Sequence, residues 1–295
     1  MAVRRLSRLR LARLGPARFS PARFRPAPRT AAITLAVLVV VLAAVASALL
    51  KPGGSGVAST GGASTGGAKG GPLGSTAAAG PAPSGAPIST GPPAVPDSIQ
   101  HEPETPGRFV DITIDDGPDP VWTPQILQVL EQHHAHATFC MIGPQAAAEP
   151  ALVKRVVAEG HRLCDHSVHH DTAMDKKPLS YQSSEILDAL GMIQAASGGA
   201  RVYYYRAPGG AFTPASRVLA AQHGMRPLGW NIDTKDFDRP GVSRILDTMK
   251  EEIHNGPTIL FHDGGGNRSQ TVQALGQALT WLQQQGYGFS FPKVD

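Results

Sequence analysis

Val110-Asp111-Ile112-Thr113-Ile114-Asp115-Asp116-Gly117-Pro118 alternates apolar and polar side chains and then runs into two adjacent carboxylates, a glycine and a proline. The alternation of Val110, Ile112 and Ile114 reads as a strand, and Gly-Pro ends it abruptly. The acid pair therefore stands where a strand stops and a loop begins, the place where α/β proteins usually do chemistry. An isolated Asp-Asp-Gly is also a common turn whose carboxylates cap backbone amides. The rest of the chain has to choose between the two.

Downstream, strand and helix patterns alternate. Strands are predicted at 109–114, 137–142, 161–165, 202–206, 226–232, 258–262 and 288–292, and helices at 122–133, 151–158, 181–195, 214–223, 242–254 and 270–285, with glycines at the junctions. Seven strands with helical crossovers predict a parallel sheet of the α/β class. A barrel would close that sheet without edges, and an open doubly wound sheet is the alternative. Residues 108–295 suffice for one such domain.

The 295-residue chain is uneven in front of it. Residues 1–30 hold nine arginines and no acid, and 31–50 is an apolar run broken only by Thr34 and Ser47. Twenty residues at about 1.5 Å each span roughly the 30 Å hydrocarbon core of a bilayer, and the arginine excess would keep the first segment cytoplasmic. A single-pass membrane anchor with the domain outside the cell is expected; secretion after signal cleavage near Ala46-Ser47-Ala48 is the alternative. Residues 51–107, rich in Gly, Ser, Pro and Ala, read as a flexible linker.

The net charge of +4 is not a nucleic-acid signature. From Arg108 onward 16 Lys and Arg face 20 Asp and Glu, so the positive charge belongs to the first segment and not to the domain. No nucleic acid and no protein partner is expected.

Asp115, Asp116, His166, His170, Arg206, Asp233, Asp236 and His262 all fall at or just past the carboxyl end of a predicted strand. In a parallel sheet they converge on one rim. His166 and His170 are four apart, so one helical turn would place both imidazoles on one face, and a carboxylate from the first strand completes a two-His, one-carboxylate metal site. The second cluster, His133, His134 and His136, reads as a solvated helix end. Cys140 and Cys164 lie on consecutive predicted strands. A disulfide and two buried thiols both remain open, since adjacent parallel strands bridge poorly.

Thr-Ile-Asp-Asp-Gly at 113–117, His-Ser-Val-His-His at 166–170, Arg-Ala-Pro-Gly-Gly at 206–210, Asp-Thr-Lys-Asp-Phe at 233–237 and Leu-Phe-His at 260–262 resemble, in order, the five motifs of the NodB-type polysaccharide deacetylases, carbohydrate esterase family 4. The resemblance implies a distorted (β/α)7 barrel. It also implies a divalent metal, zinc first and cobalt second, on Asp116, His166 and His170. Asp115 would be the general base and His262 the general acid, with Arg206 fixing Asp115 and Asp236 orienting His262. The backbone N–H of Gly210 would stabilise the oxyanion, and Pro208, Phe237 and Leu260 would shape the sugar groove. Ile114, Gly210 and Phe237 depart from the family's usual Phe, Tyr and Trp, which bears on substrate preference. Asp165 stands where Asn is commoner.

The implied reaction is N-deacetylation of N-acetylglucosamine units in a cell-wall polysaccharide, peptidoglycan before chitin oligomers. O-deacetylation of xylan or another wall polymer, and an inactive tethered wall-binding module, are the other two readings.

Overall fold

The structure is a computed structural model and describes residues 94–295. The arginine-rich segment, the apolar run 31–50 and most of the expected linker lie outside the described residues. Among the described residues no helix is long and apolar enough to cross a membrane.

Among the described residues eight parallel strands are interleaved with seven helices: β1 (Phe109–Asp115), α1 (Thr123–Gln132), β2 (Ala137–Met141), α2 (Gly143–Ala148), α3 (Pro150–Ala158), β3 (Arg162–Asp165), α4 (Leu179–Ser197), β4 (Val202–Tyr205), α5 (Pro214–Gln222), β5 (Arg226–Pro227), β6 (Ile232–Asp233), α6 (Val242–Glu252), β7 (Thr258–His262), α7 (Ser269–Gln284) and β8 (Gly288–Ser290). The strand order is β5-β4-β3-β2-β1-β7-β6, with β8 added to β1. Read as a ring, that order is sequential and broken once, between β5 and β6. A doubly wound sheet would reverse direction at a switch point, and none does so here. The arrangement is that of a curled α/β barrel with one unpaired seam, so the closure expected from the sequence is incomplete.

The seam has a local cause. A single strand is expected over 226–232, yet the side chain of Arg206 enters between its halves and takes the carbonyls of Leu228 (Nε, 3.3 Å) and Gly229 (Nη2, 2.8 Å). At these two residues the carbonyls face the guanidinium, and the strand divides into β5 and β6. The domain also begins earlier than expected. Gln100 pairs with Leu228, Pro103 with Pro292, and Gln100 is buried, so residues before 108 belong to the fold and not to the linker.

β1 shows why the alternation matters. Val110, Ile112 and Ile114 are fully buried in the layer shared with the helices, while Asp111, Thr113 and Asp115 are buried on the other face, inside the barrel. The helices supply matching stripes. On α7, Thr271, Ala274, Leu275, Ala278, Leu279 and Leu282 recur at helical spacing and are buried. Each of its leucines contributes roughly 1.5–3 kcal/mol by leaving water, and Leu279→Ala would cost about 2–5 kcal/mol.

Cys140 and Cys164 form a disulfide. Of the two states the sequence leaves open, the bridge is the one present, although adjacent parallel strands bridge poorly in general. The two residues stand directly opposite each other in the β2–β3 register, inside the barrel beside Tyr204 and Leu228.

Candidate active site

The carboxyl ends of β1, β3, β4, β6 and β7 open onto a cleft of about 490 Å³ lined by Asp115, Asp116, His166, His170, Thr172, Gly209, Trp230, Asp233, Lys235, Phe237, Leu260 and His262. The rim convergence expected from parallel strands is present.

Asp116, His166 and His170 bring one ligand atom each within 4.8 Å of one another. Asp116 Oδ1 lies 3.6 Å from His166 Nε2 and 3.2 Å from His170 Nε2. The Nδ1–H of His166 donates to the carbonyl of Arg206 at 2.8 Å, which fixes the tautomer and leaves the Nε2 lone pair facing Asp116. Burial drives the His166 pKa down to about 3, against the opposing pull of Asp116, so the ring is neutral. Asp116 Oδ1 is buried and, among the described residues, has no hydrogen-bond partner. The free Nε2 lone pair of His166, the Nε2 of His170 facing the same oxygen at 3.2 Å and an orphaned carboxylate oxygen fit a divalent cation and little else.

The segment carrying the two histidines is not the helical turn expected from their spacing. Residues 166–170 form a loop in which Ser167 (φ 67°) and His170 (φ 52°) adopt left-handed backbone. Both rings still converge, with centroids 4.9 Å apart in a T-shaped pair.

Asp115 faces Arg206. Nη1 of the fully buried arginine donates to Asp115 Oδ1 at 2.6 Å and to Thr113 Oγ1 at 2.9 Å. Burial raises the Asp115 pKa above the ordinary carboxylate range, and the guanidinium opposes that rise. Opposite, Asp236 accepts from the backbone N–H of His262 at 2.9 Å and from its Nδ1–H at 2.7 Å, and Thr271 donates to the same carboxylate at 2.8 Å. Burial opposes charge on His262, but the hydrogen bond and charge of Asp236 outweigh it and lift the imidazole to about 9. Lys235 pairs with Asp233 at 2.6 Å, which leaves Asp236 to the histidine.

Two expected residues do not take their places. The Gly210 N–H donates to the Ala207 carbonyl at 2.9 Å within a tight turn, so it is not aimed at the cleft. Gly209 lines the cleft instead. Pro208 is buried and does not line the groove, whereas Leu260 and Phe237 do. Phe237 meets the His262 ring edge-on at 5.3 Å.

The sequence reading missed Trp230 and Asp263. Trp230 lines the cleft, and its ring sits 3.2 Å from where a Cβ on Gly210 would be, so the small residue at 210 leaves room for an aromatic wall supplied from another strand end. Asp263, next to His262, is buried with its pKa raised to about 7 by desolvation, and the Thr123 hydroxyl donates to it at 2.6 Å. A Cβ on Gly117 would strike that carboxylate, which is why the acid pair is followed by glycine. The adjacency of Asp263 to His262 was the available signal.

Carboxylates, imidazoles and the buried guanidinium of Arg206 gathered at the carboxyl rim of a curled α/β barrel are the groups a barrel hydrolase uses. Comparison with known proteins narrows that class. Residues 102–228 match the family described as Polysaccharide deacetylase. A chitooligosaccharide deacetylase of Bradyrhizobium sp. (strain ANU 289) is 36% identical over 191 residues, covering 61% of this chain and 87% of the relative. A peptidoglycan-N-acetylglucosamine deacetylase of Bacillus cereus is 37% identical over 184 residues, covering 62% and 85%. The chain belongs to the polysaccharide deacetylase family. Among solved structures, a Bacillus anthracis protein described as a family 4 carbohydrate esterase pseudoenzyme superposes with a TM-score of 0.58 at 26% identity, covering 65% of each chain. The fold therefore does not separate active members from inactive ones; the residues in the cleft do.

Proposed function

We propose that this protein removes the acetyl group from N-acetylglucosamine units of a cell-wall polysaccharide, peptidoglycan first, with the help of a divalent metal on Asp116, His166 and His170. The observation that carries the reading is the orphaned Asp116 Oδ1 between two imidazole Nε2 atoms, flanked by the Asp115–Arg206 and His262–Asp236 pairs. A bound ion, zinc first and cobalt second, would supply Lewis acidity to a water and to the acetamide carbonyl.

The protein's own groups supply the proton transfers. Asp115, held by Arg206 and raised by burial, takes a proton from the attacking water as its oxygen bonds to the acetyl carbon. The N–H of Gly209 is the backbone donor for the charge that builds on the carbonyl oxygen. His262, kept cationic by Asp236, gives its proton to the amide nitrogen, because an amine leaves only once protonated. The C–N bond breaks, and acetate and a free sugar amine are released. Trp230 and Phe237 are the aromatic walls against which a pyranose ring can lie. An inactive wall-binding role is disfavoured by the complete set of base, acid and ligand groups.

The run at 31–50 and its arginine-rich flank support a retained membrane anchor that holds the domain at the outer face; secretion after cleavage is the second reading.

The test is acetate release by the full chain from peptidoglycan, chitooligosaccharides and acetylxylan, with and without chelator. Chelator-sensitive release from peptidoglycan is expected. Faster release from acetylxylan moves the assignment to O-deacetylation, and no chelator-sensitive release from any substrate overturns the enzymatic reading.

A further inference from the structure

We infer that Glu185 is a positioning residue for the two histidines, holding the loop that carries them in the shape that brings both imidazoles to Asp116. The inference rests on the reading of Asp116, His166 and His170 as metal ligands.

The loop needs a holder. Ser167 and His170 lie in the left-handed region that residues with side chains rarely adopt, and no glycine relieves either position. Such a backbone persists only where its surroundings over-determine it. Some ties are short-range: the Ser167 N–H donates to Asp165 Oδ1 at 2.8 Å, and the His170 N–H to Ser167 Oγ at 3.2 Å. From outside, the Gly143 N–H donates to the Ser167 carbonyl at 3.0 Å.

The middle of the loop is held by one side chain on a different element. Glu185, buried on α4, accepts from the N–H of Val168 at 3.2 Å and of His169 at 2.8 Å through Oε2, and from His169 Nδ1–H at 2.6 Å through Oε1. Hydrogen bonds to a carboxylate are stronger than neutral ones, and three converge here. The His169 ring is largely exposed, so apolar burial does not account for its position over Glu185. Val168 and His169 lie between the two histidines that face Asp116, so a carboxylate that pins them sets the separation and orientation of His166 and His170 without touching either.

The experiment measures the affinity of the full chain for zinc ion by competition with a chromophoric chelator, well below the unfolding temperature. The proteins are wild type, His166→Ala, Glu185→Ala, Glu185→Asp and Glu185→Gln. Groups that orient metal ligands typically cost 10–100-fold in affinity when removed, and Glu185→Ala is expected to weaken zinc by about that factor. Glu185→Asp withdraws the carboxylate by one methylene and is expected to weaken it several-fold, whereas Glu185→Gln, which keeps an oxygen for the two N–H groups, recovers most of the loss. Zinc affinity that is equal in wild type and His166→Ala overturns the ligand reading itself. Tight zinc in wild type, lost in His166→Ala and unchanged in Glu185→Asp and Glu185→Ala, leaves that reading standing and overturns the role of Glu185. Should Glu185→Ala fail to fold, Glu185→Asp decides.

Discussion

Asp236 holds His262 twice, through Oδ2 to the backbone N–H at 2.9 Å and through Oδ1 to the ring Nδ1 at 2.7 Å. The double hold lifts the imidazole to about 9 although burial pushes the other way. His262 is therefore protonated, as a general acid must be, across the neutral range.

Its folded pKa stands above its ordinary value of 6.5, so the associated stability is fully present below about 6.5 and is lost as pH rises through about 9. The shift corresponds to something on the order of 3 kcal/mol. Thermal melts of chelator-treated protein from pH 6 to 10 should show that loss, and Asp236→Asn should flatten it. A melting temperature independent of pH in wild type would remove the pairing as its cause. In turnover, the same variant should move the alkaline limb of the rate profile toward lower pH.

Asp115→Asn should keep zinc and lose turnover by about 10²–10⁴-fold, since the amide preserves the shape of the site but cannot take a proton. Acetate release at saturating zinc, read beside the zinc affinity, separates the two effects. A fully active Asp115→Asn would show that another group is the base.

Arg206→Ala is expected to destabilise the protein by about 3–5 kcal/mol, because it leaves Asp115 buried without its counter-charge and frees the carbonyls of Leu228 and Gly229. Denaturant unfolding measures it. A cost below about 1 kcal/mol would mean that the pair is relieved by water, as at a surface salt bridge.

That arginine also marks where the sequence could be read and where it could not. Asp115, Asp116, His166, His170, Arg206, Asp236 and His262 were legible because strand ends in a parallel α/β fold share one rim, and the order of motifs carried the rest. The division of 226–232 was hidden, since it depends on a guanidinium arriving from β4, and local propensity still read a strand there. The loop at 166–170 was hidden for a related reason. Its left-handed residues are Ser and His, which carry no glycine signal, and its holder Glu185 lies on α4, well along the chain. Gly209 and Gly210 differ only in which N–H a tight turn consumes, and composition cannot tell two adjacent glycines apart.

Trp230 and Gly210 carry the last prediction, because the space of one is the wall of the other. The Trp230 ring lies 3.2 Å from the position of a Cβ on Gly210, whose φ of 74° also disfavours a side chain. Gly210→Ala should therefore push the indole out of the groove, and Trp230→Ala should delete the wall outright. Loss of one aromatic platform worth about 1–2 kcal/mol corresponds to a KM for polymeric substrate raised about 5- to 30-fold. Because neither residue exchanges protons, kcat should change little, and Trp230→Phe should restore part of the affinity. Steady-state kinetics on chitooligosaccharides of increasing length provide the measurement: the KM penalty should be visible on every sugar that occupies the cleft. A kcat that collapses while KM holds would instead place Trp230 in the support of Arg206, over whose guanidinium its ring also lies at 5.6 Å.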